Sequence, residues 1–169
     1  IVGCAGCGMT LEKEYMEPLQ RGKDRPQFSV YDFTEYLERL KLSYEPGKAK
    51  RWRVTYHDPC HLRRGQGIWE EPRRLLNALP DIHFVEIEGS DRCCGGMLAT
   101  LHRDLASALS KKKAETIIDA NVDVVTTECP FCRDMISKAL KKEGKSIAVY
   151  MVAELIRELY APYFRDRNP

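Results

Sequence analysis

Five cysteines fall in the pattern C-x32-C-C-x34-C-x2-C, at Cys60, Cys93, Cys94, Cys129 and Cys132, and each group follows a short run of strand-forming residues. Those runs are Val54–His57, Ile82–Ile87 and Val122–Thr126, with Ile147–Tyr150 as a fourth. Helix signals separate them. Glu71–Leu76 carries Pro72 in its first turn, Met97–Ala120 has apolar residues at helical spacing, and Pro130–Lys142 and Val152–Tyr160 continue the alternation. Strands spaced by helices predict a parallel sheet with right-handed crossovers, an α/β, Rossmann-like three-layer fold with flanking helices. Ligands of such a sheet collect beyond the carboxyl ends of its strands. Three loops therefore bring five sulfurs to one sheet edge.

The first 42 residues repeat part of this plan. Ile1-Val2 runs into Cys4-x2-Cys7, then a helical stretch Thr10–Gln20, a strand Phe28–Tyr31 and a helix Phe33–Leu40. The order matches Val122–Thr126, Cys129-x2-Cys132, the helix to Lys142, Ile147–Tyr150 and Val152–Leu159. Residues 1–45 thus read as the C-terminal remnant of a first repeat, and residues 51–169 as a complete second one. Ser43–Arg51, with Pro46-Gly47-Lys48, is the predicted linker. Cys4 and Cys7 would be ligands of the incomplete first repeat. They are expected to lie apart from the other five, with Leu11, Tyr15, Leu37 and Leu40 facing the second repeat or a partner chain.

Composition narrows the chemistry. Lys plus Arg is 27 and Asp plus Glu is 25, so the net charge of +2 gives no reason to expect nucleic acid. No apolar run is long enough to span a bilayer, and no basic, apolar-cored signal opens the chain, so a cytoplasmic protein is expected. Seven cysteines, an odd number, then argue for metal ligands or redox thiols rather than a disulfide scaffold. Cys129 precedes Pro130 at a helix start, where free backbone N–H groups favour thiolate. Gly95 and Gly96 allow the bend that two adjacent cysteines need to reach one centre, and a close approach to it. Five thiolates exceed the four of a tetrahedral zinc site or an ordinary cubane. A cluster with a bridging thiolate, a redox thiol beside a metal, and a four-sulfur zinc site with one thiol spare all remain open.

Tyr56-His57-Asp58-Pro59-Cys60-His61-Leu62, Cys93-Cys94-Gly95 and the closing C-x2-C resemble the cysteine-rich CCG domain. That domain is shared by a heterodisulfide reductase component and by the iron–sulfur subunits of glycolate oxidase, lactate-utilisation and anaerobic glycerol-3-phosphate dehydrogenase systems. Arg63-Arg64-Gly65-Gln66-Gly67-Ile68, Glu71-Pro72-Arg73 and Ala5-Gly6-Cys7-Gly8 look most like the glycolate oxidase branch. The resemblance implies two domains in tandem and a 4Fe-4S cluster, non-cubane in type, held by Cys60, Cys93, Cys94, Cys129 and Cys132. It also implies an electron-transfer or catalytic subunit of an oxidoreductase that oxidises a 2-hydroxy acid such as glycolate or lactate. The alternatives are a heterodisulfide-reductase-like thiol/disulfide redox subunit and a structural zinc domain. The expected partners are a flavin-containing subunit and a ferredoxin-like domain, whose C-x2-C-x2-C-x3-C-P segment this chain lacks. Such partners could hold the protein at the inner face of a membrane. His57 and His61 are candidate proton donors, whereas His83, His102 and the runs Lys111–Lys113 and Lys141-Lys142 read as solvated surface.

Overall fold

The computed structural model describes residues 1–15, 28–44 and 51–165, the last five without their side chains. In chain order the elements are α1 (Ala5–Met9), α2 (Phe33–Arg39), β1 (Trp52–Tyr56), α3 (Cys60–Gln66), α4 (Glu70–Ala78) and β2 (Ile82–Phe84). Then follow α5 (Arg103–Asp119), β3 (Val124–Thr127), α6 (Pro130–Lys142), β4 (Ala148–Met151) and α7 (Val152–Arg165). A π-helical turn, Thr10–Tyr15, extends α1, and a 3-10 turn, Gly96–Thr100, precedes α5.

The four strands pair in the order β2-β1-β3-β4, all in parallel. Side chains alternate across a strand, so each strand feeds two cores. Val54, Tyr56 and Val124 meet Leu75 and Leu76 of α4 and Leu155 and Leu159 of α7 on one face. Val125 and Val149 meet Ile117 of α5 and Ile136 and Leu140 of α6 on the other. The three-layer α/β prediction holds. The predicted strand to Ile87 ends at Phe84, and the single helix predicted over Met97–Ala120 is broken at Leu101-His102. At that break Leu101 N–H and His102 N–H both turn back to the Leu98 carbonyl.

The N-terminal segment makes a smaller copy of this pattern. Val2 bridges Asp32 in parallel, as Thr127 pairs with Met151. In both cases the first residue stands two before a C-x2-C and the second immediately before a helix. Asp32 caps α2 by accepting the Thr34 N–H at 2.9 Å, as Glu154 accepts the Met151 N–H at 2.9 Å. Leu37 packs into the core beside α4, and Leu11 lines a cavity described below. Tyr15 and Leu40 are exposed. The predicted linker lies mostly outside the described residues, as does the end of the predicted helix at residues 16–20.

Candidate metal centre at the carboxyl edge of the sheet

Each cysteine group sits where a strand hands over to its next element. Cys60 is the first residue of α3, Cys129 is the N-cap of α6, and Cys132 lies in the first turn of that helix. Cys93 and Cys94 follow a loop after β2. The chain turns sharply just after them: Gly95 has φ of +85°, and a Cβ there would come within 2.5 Å of the Ala106 carbonyl oxygen. The glycine is needed for the left-handed backbone and for contact with α5. The bend expected of the cysteine pair is present, but its close approach is to a helix.

All seven cysteines line one cavity of about 510 Å³. Cys60 and Cys129 share its wall, as a single site for the five requires. Cys94 and Cys132 are buried, with their Sγ atoms 3.2 Å apart. Cys93 Sγ accepts the Gly95 N–H at 3.3 Å. The expectation that Cys4 and Cys7 lie apart is wrong. The Ala5 N–H donates to the Glu128 carbonyl at 2.8 Å, which sets the first C-x2-C beside the second. Gln66 reinforces the junction by donating to the Ala5 and His61 carbonyls, both at 2.9 Å. Leu11, Met97 and Phe131 make much of the remaining wall apolar.

The sulfurs differ electrostatically. A hydrogen bond from Cys132 and a second from His57 bring Cys94 down to about 4 against the effect of its burial. Cys132 likewise lowers Cys129 to about 6. Cys132, donating to both and buried, is pushed far up. Burial, then the charge of neighbouring sulfurs, raises Cys60, and hydrogen bonding and charge from Cys4 raise Cys7. Cys94 and Cys129 are thus held toward thiolate, the form that a metal binds.

The histidines divide. His61 lines the cavity. His57 is 1% exposed, and a ring nitrogen lies within 4.8 Å of both Cys94 and Cys132 Sγ, a buried three-donor set. Its Nδ1 has no hydrogen-bond partner. His83 and His102 are exposed, as expected. Beneath the site Asp58 accepts from Arg73 at 2.8 Å, Arg63 at 2.9 Å and Ser90 at 3.0 Å. Burial alone would raise its carboxyl, but Arg73 and its other partners hold it below the usual range. Lys111 and Lys112 are solvated as predicted, but Lys113 is 3% exposed. Its spacing carries a partial signal, since Lys113 falls seven residues after Ala106 and four before Ile117, both buried on the same helix.

The donor set fits an iron–sulfur centre: thiol sulfurs converge from three loops on a largely apolar cavity with a buried, unpartnered imidazole nitrogen behind it. No described helix is long and apolar enough to cross a membrane.

Comparison with known proteins agrees with this chemistry. Residues 54–137 match the cysteine-rich domain family CCG. The chain is 42% identical over 168 residues to a subunit of the fumarate reductase (CoM/CoB) of Methanothermobacter marburgensis, covering 95% of this chain and 32% of that protein. It is 33% identical to a subunit of the dihydromethanophenazine:CoB–CoM heterodisulfide reductase of Methanosarcina barkeri, covering 94% of this chain and 40% of that one. Lactate utilization protein A of Oceanobacillus iheyensis is 25% identical, with 92% of this chain and 67% of that protein covered. The chain therefore spans about a third of the length of the first of these relatives.

Proposed function

The chain belongs to the cysteine-rich CCG family, and from that premise we propose that it is the part of an iron–sulfur oxidoreductase subunit where a thiol/disulfide couple exchanges electrons with the protein. The family and its relatives support the coarse reading, a redox component of a multi-subunit oxidoreductase. The finer one rests on a single observation: all seven cysteines face one largely apolar cavity, so a substrate there would touch both C-x2-C turns.

Cys60, Cys93, Cys94, Cys129 and Cys132 would hold a 4Fe-4S cluster, with Cys4 and Cys7 serving the preceding repeat. When bound, such a cluster supplies electrons one at a time from a site shielded from water. The protein's own part is positioning and protons. Reducing a disulfide to two thiols takes two electrons and two protons. His61, on the cavity wall, is placed to deliver a proton to a departing sulfur. His57, buried against Cys94, is placed to hold an N–H on a ligand sulfur. Electrons would arrive through a flavin-containing subunit or a ferredoxin-like domain.

The oxidation of a 2-hydroxy acid is the second reading, supported by the lactate-utilization relative. Against it, the described cavity wall presents no arginine or lysine to pair with a substrate carboxylate. Turnover by the full complex distinguishes the two. Reduction of a small heterodisulfide is expected, and oxidation of lactate or glycolate without any disulfide activity would overturn the proposal.

A further inference from the structure

Lys113 is the one lysine of the Lys111–Lys113 run that is buried. Its Nζ donates to the Gly89 carbonyl at 2.5 Å and the Ser90 carbonyl at 3.2 Å. Both carbonyls already accept a backbone N–H, Gly89 from Arg92 at 3.0 Å and Ser90 from Asp58 at 3.1 Å. Neither needs a lysine. Burying an ammonium is costly unless negative charge compensates it. Burial, the largest effect, lowers Lys113 to about 8, against the opposing charges of Cys94, Asp91, Asp58 and Cys132. Asp58 is answered by Arg63 and Arg73. Asp91 is half-buried and partly solvated. The buried ammonium therefore sits on the loop that leads, three residues on, into Cys93 and Cys94.

We propose that Lys113 is a positioning residue of the sulfur centre: it ties the Gly89–Ser90 bend to α5 and places a buried positive charge on the loop of Cys93 and Cys94, where it would favour electron uptake by a cluster held there. The loop half stands on geometry alone, and the charge half rests on the iron–sulfur reading above. Asp58 and Arg73 hold Ser90 from the other side, through Ser90 Oγ at 3.0 and 3.2 Å. The loop leading to the cysteine pair, three residues further on, is thus clasped between two helices and the turn after β1.

The test uses the full-length protein, prepared anaerobically, with K113Q and K113R. Glutamine is shorter and neutral, so it loses both the reach to Gly89 and Ser90 and the charge, and arginine restores the charge. Iron content, the midpoint potential from an EPR-monitored redox titration, and amide hydrogen exchange of residues 89–94 in cluster-free protein are measured for each. K113Q is expected to retain iron but lose at least tenfold in the reduction equilibrium, about 59 mV for a one-electron couple. K113R should recover most of that, and exchange at 89–94 should speed up at least tenfold in K113Q. An unchanged potential in iron-replete K113Q overturns the charge role, even if exchange accelerates. Unchanged exchange overturns the loop role. Wild-type protein without iron or sulfide would sink the iron–sulfur reading and the charge role with it, while the exchange result still decides the loop role. Should K113Q fail to fold, K113R with a shifted potential overturns the charge role.

Discussion

The backbone N–H of Ala5 donates to the carbonyl of Glu128 over 2.8 Å, and this bond lays the two C-x2-C turns side by side. Each residue stands next to a cysteine, Cys4 and Cys129. The N-terminal segment is therefore built into the wall of the sulfur cavity. Replacing Ala5 by proline removes the donor, and the two turns are expected to separate. Cys4 and Cys7 should then alkylate several-fold faster in cluster-free protein, measured by mass spectrometry. Unchanged rates would mean the junction is held by other contacts.

The cluster-free thiols should react in an order set by their surroundings. Cys129 lies near 6 and Cys60 is raised above the usual thiol value, although both line the cavity. At pH 7 Cys129 is mostly thiolate, so iodoacetamide should modify it well before Cys60. Its rate should fall about tenfold between pH 7 and pH 5 as the thiolate fraction drops. Equal labelling of the two at pH 7 would contradict the assignment.

Gly95→Ala tests the bend after the cysteine pair. The methyl group would meet the Ala106 carbonyl at 2.5 Å from a backbone at φ of +85°. A cost of about 1–3 kcal/mol in unfolding free energy is expected, with loss of bound iron because Cys94 is displaced. Denaturant titration and iron content check the two effects separately.

Two buried acids pull in opposite directions with pH. Asp58 is held below the usual carboxylate range, so its stabilisation is complete above the unfolded value and drains away as pH falls through the native one. Removing it as Asp58→Ala leaves Arg73 with Glu86 as its remaining carboxylate, and about 1.5–3 kcal/mol should be lost at pH 7. Asp32 is raised, chiefly by burial, so the stability linked to its proton is present below the unfolded value of about 3.9 and is lost as pH rises through the native one. Asp32→Asn keeps an acceptor for the Thr34 N–H and should flatten that slope, which Asp32→Ala should follow with an added loss of about 1 kcal/mol. Chemical unfolding at pH 3 to 8 measures all three.

Much of this was legible because one signal carried it twice. The runs that make β1 and β3 are rich in β-branched residues and cysteines stand just past their ends, so pattern and chemistry pointed to the same sheet. Pro130 after Cys129 marked the start of α6 to the residue. The errors share a cause: they depend on contacts between segments distant in sequence. Nothing local in Cys4-x2-Cys7 shows that Ala5 will bond to Glu128. Lys113, inside a run of three lysines, looks solvated until α5 is laid on the sheet and its third lysine turns inward. The early end of β2 at Phe84 has no signal in the alternation of Val85 and Ile87, which go on to pack in the loop and the α5 face of the core.

Metal content tests the central claim most directly. Full-length protein purified without oxygen should be brown and contain iron and acid-labile sulfide in equal amounts. Cys94→Ser and Cys132→Ser, which remove the two buried sulfurs 3.2 Å apart, should each lose most of both. Colourless protein that holds zinc through the same cysteines, and takes up no iron or sulfide on anaerobic reconstitution, would contradict it.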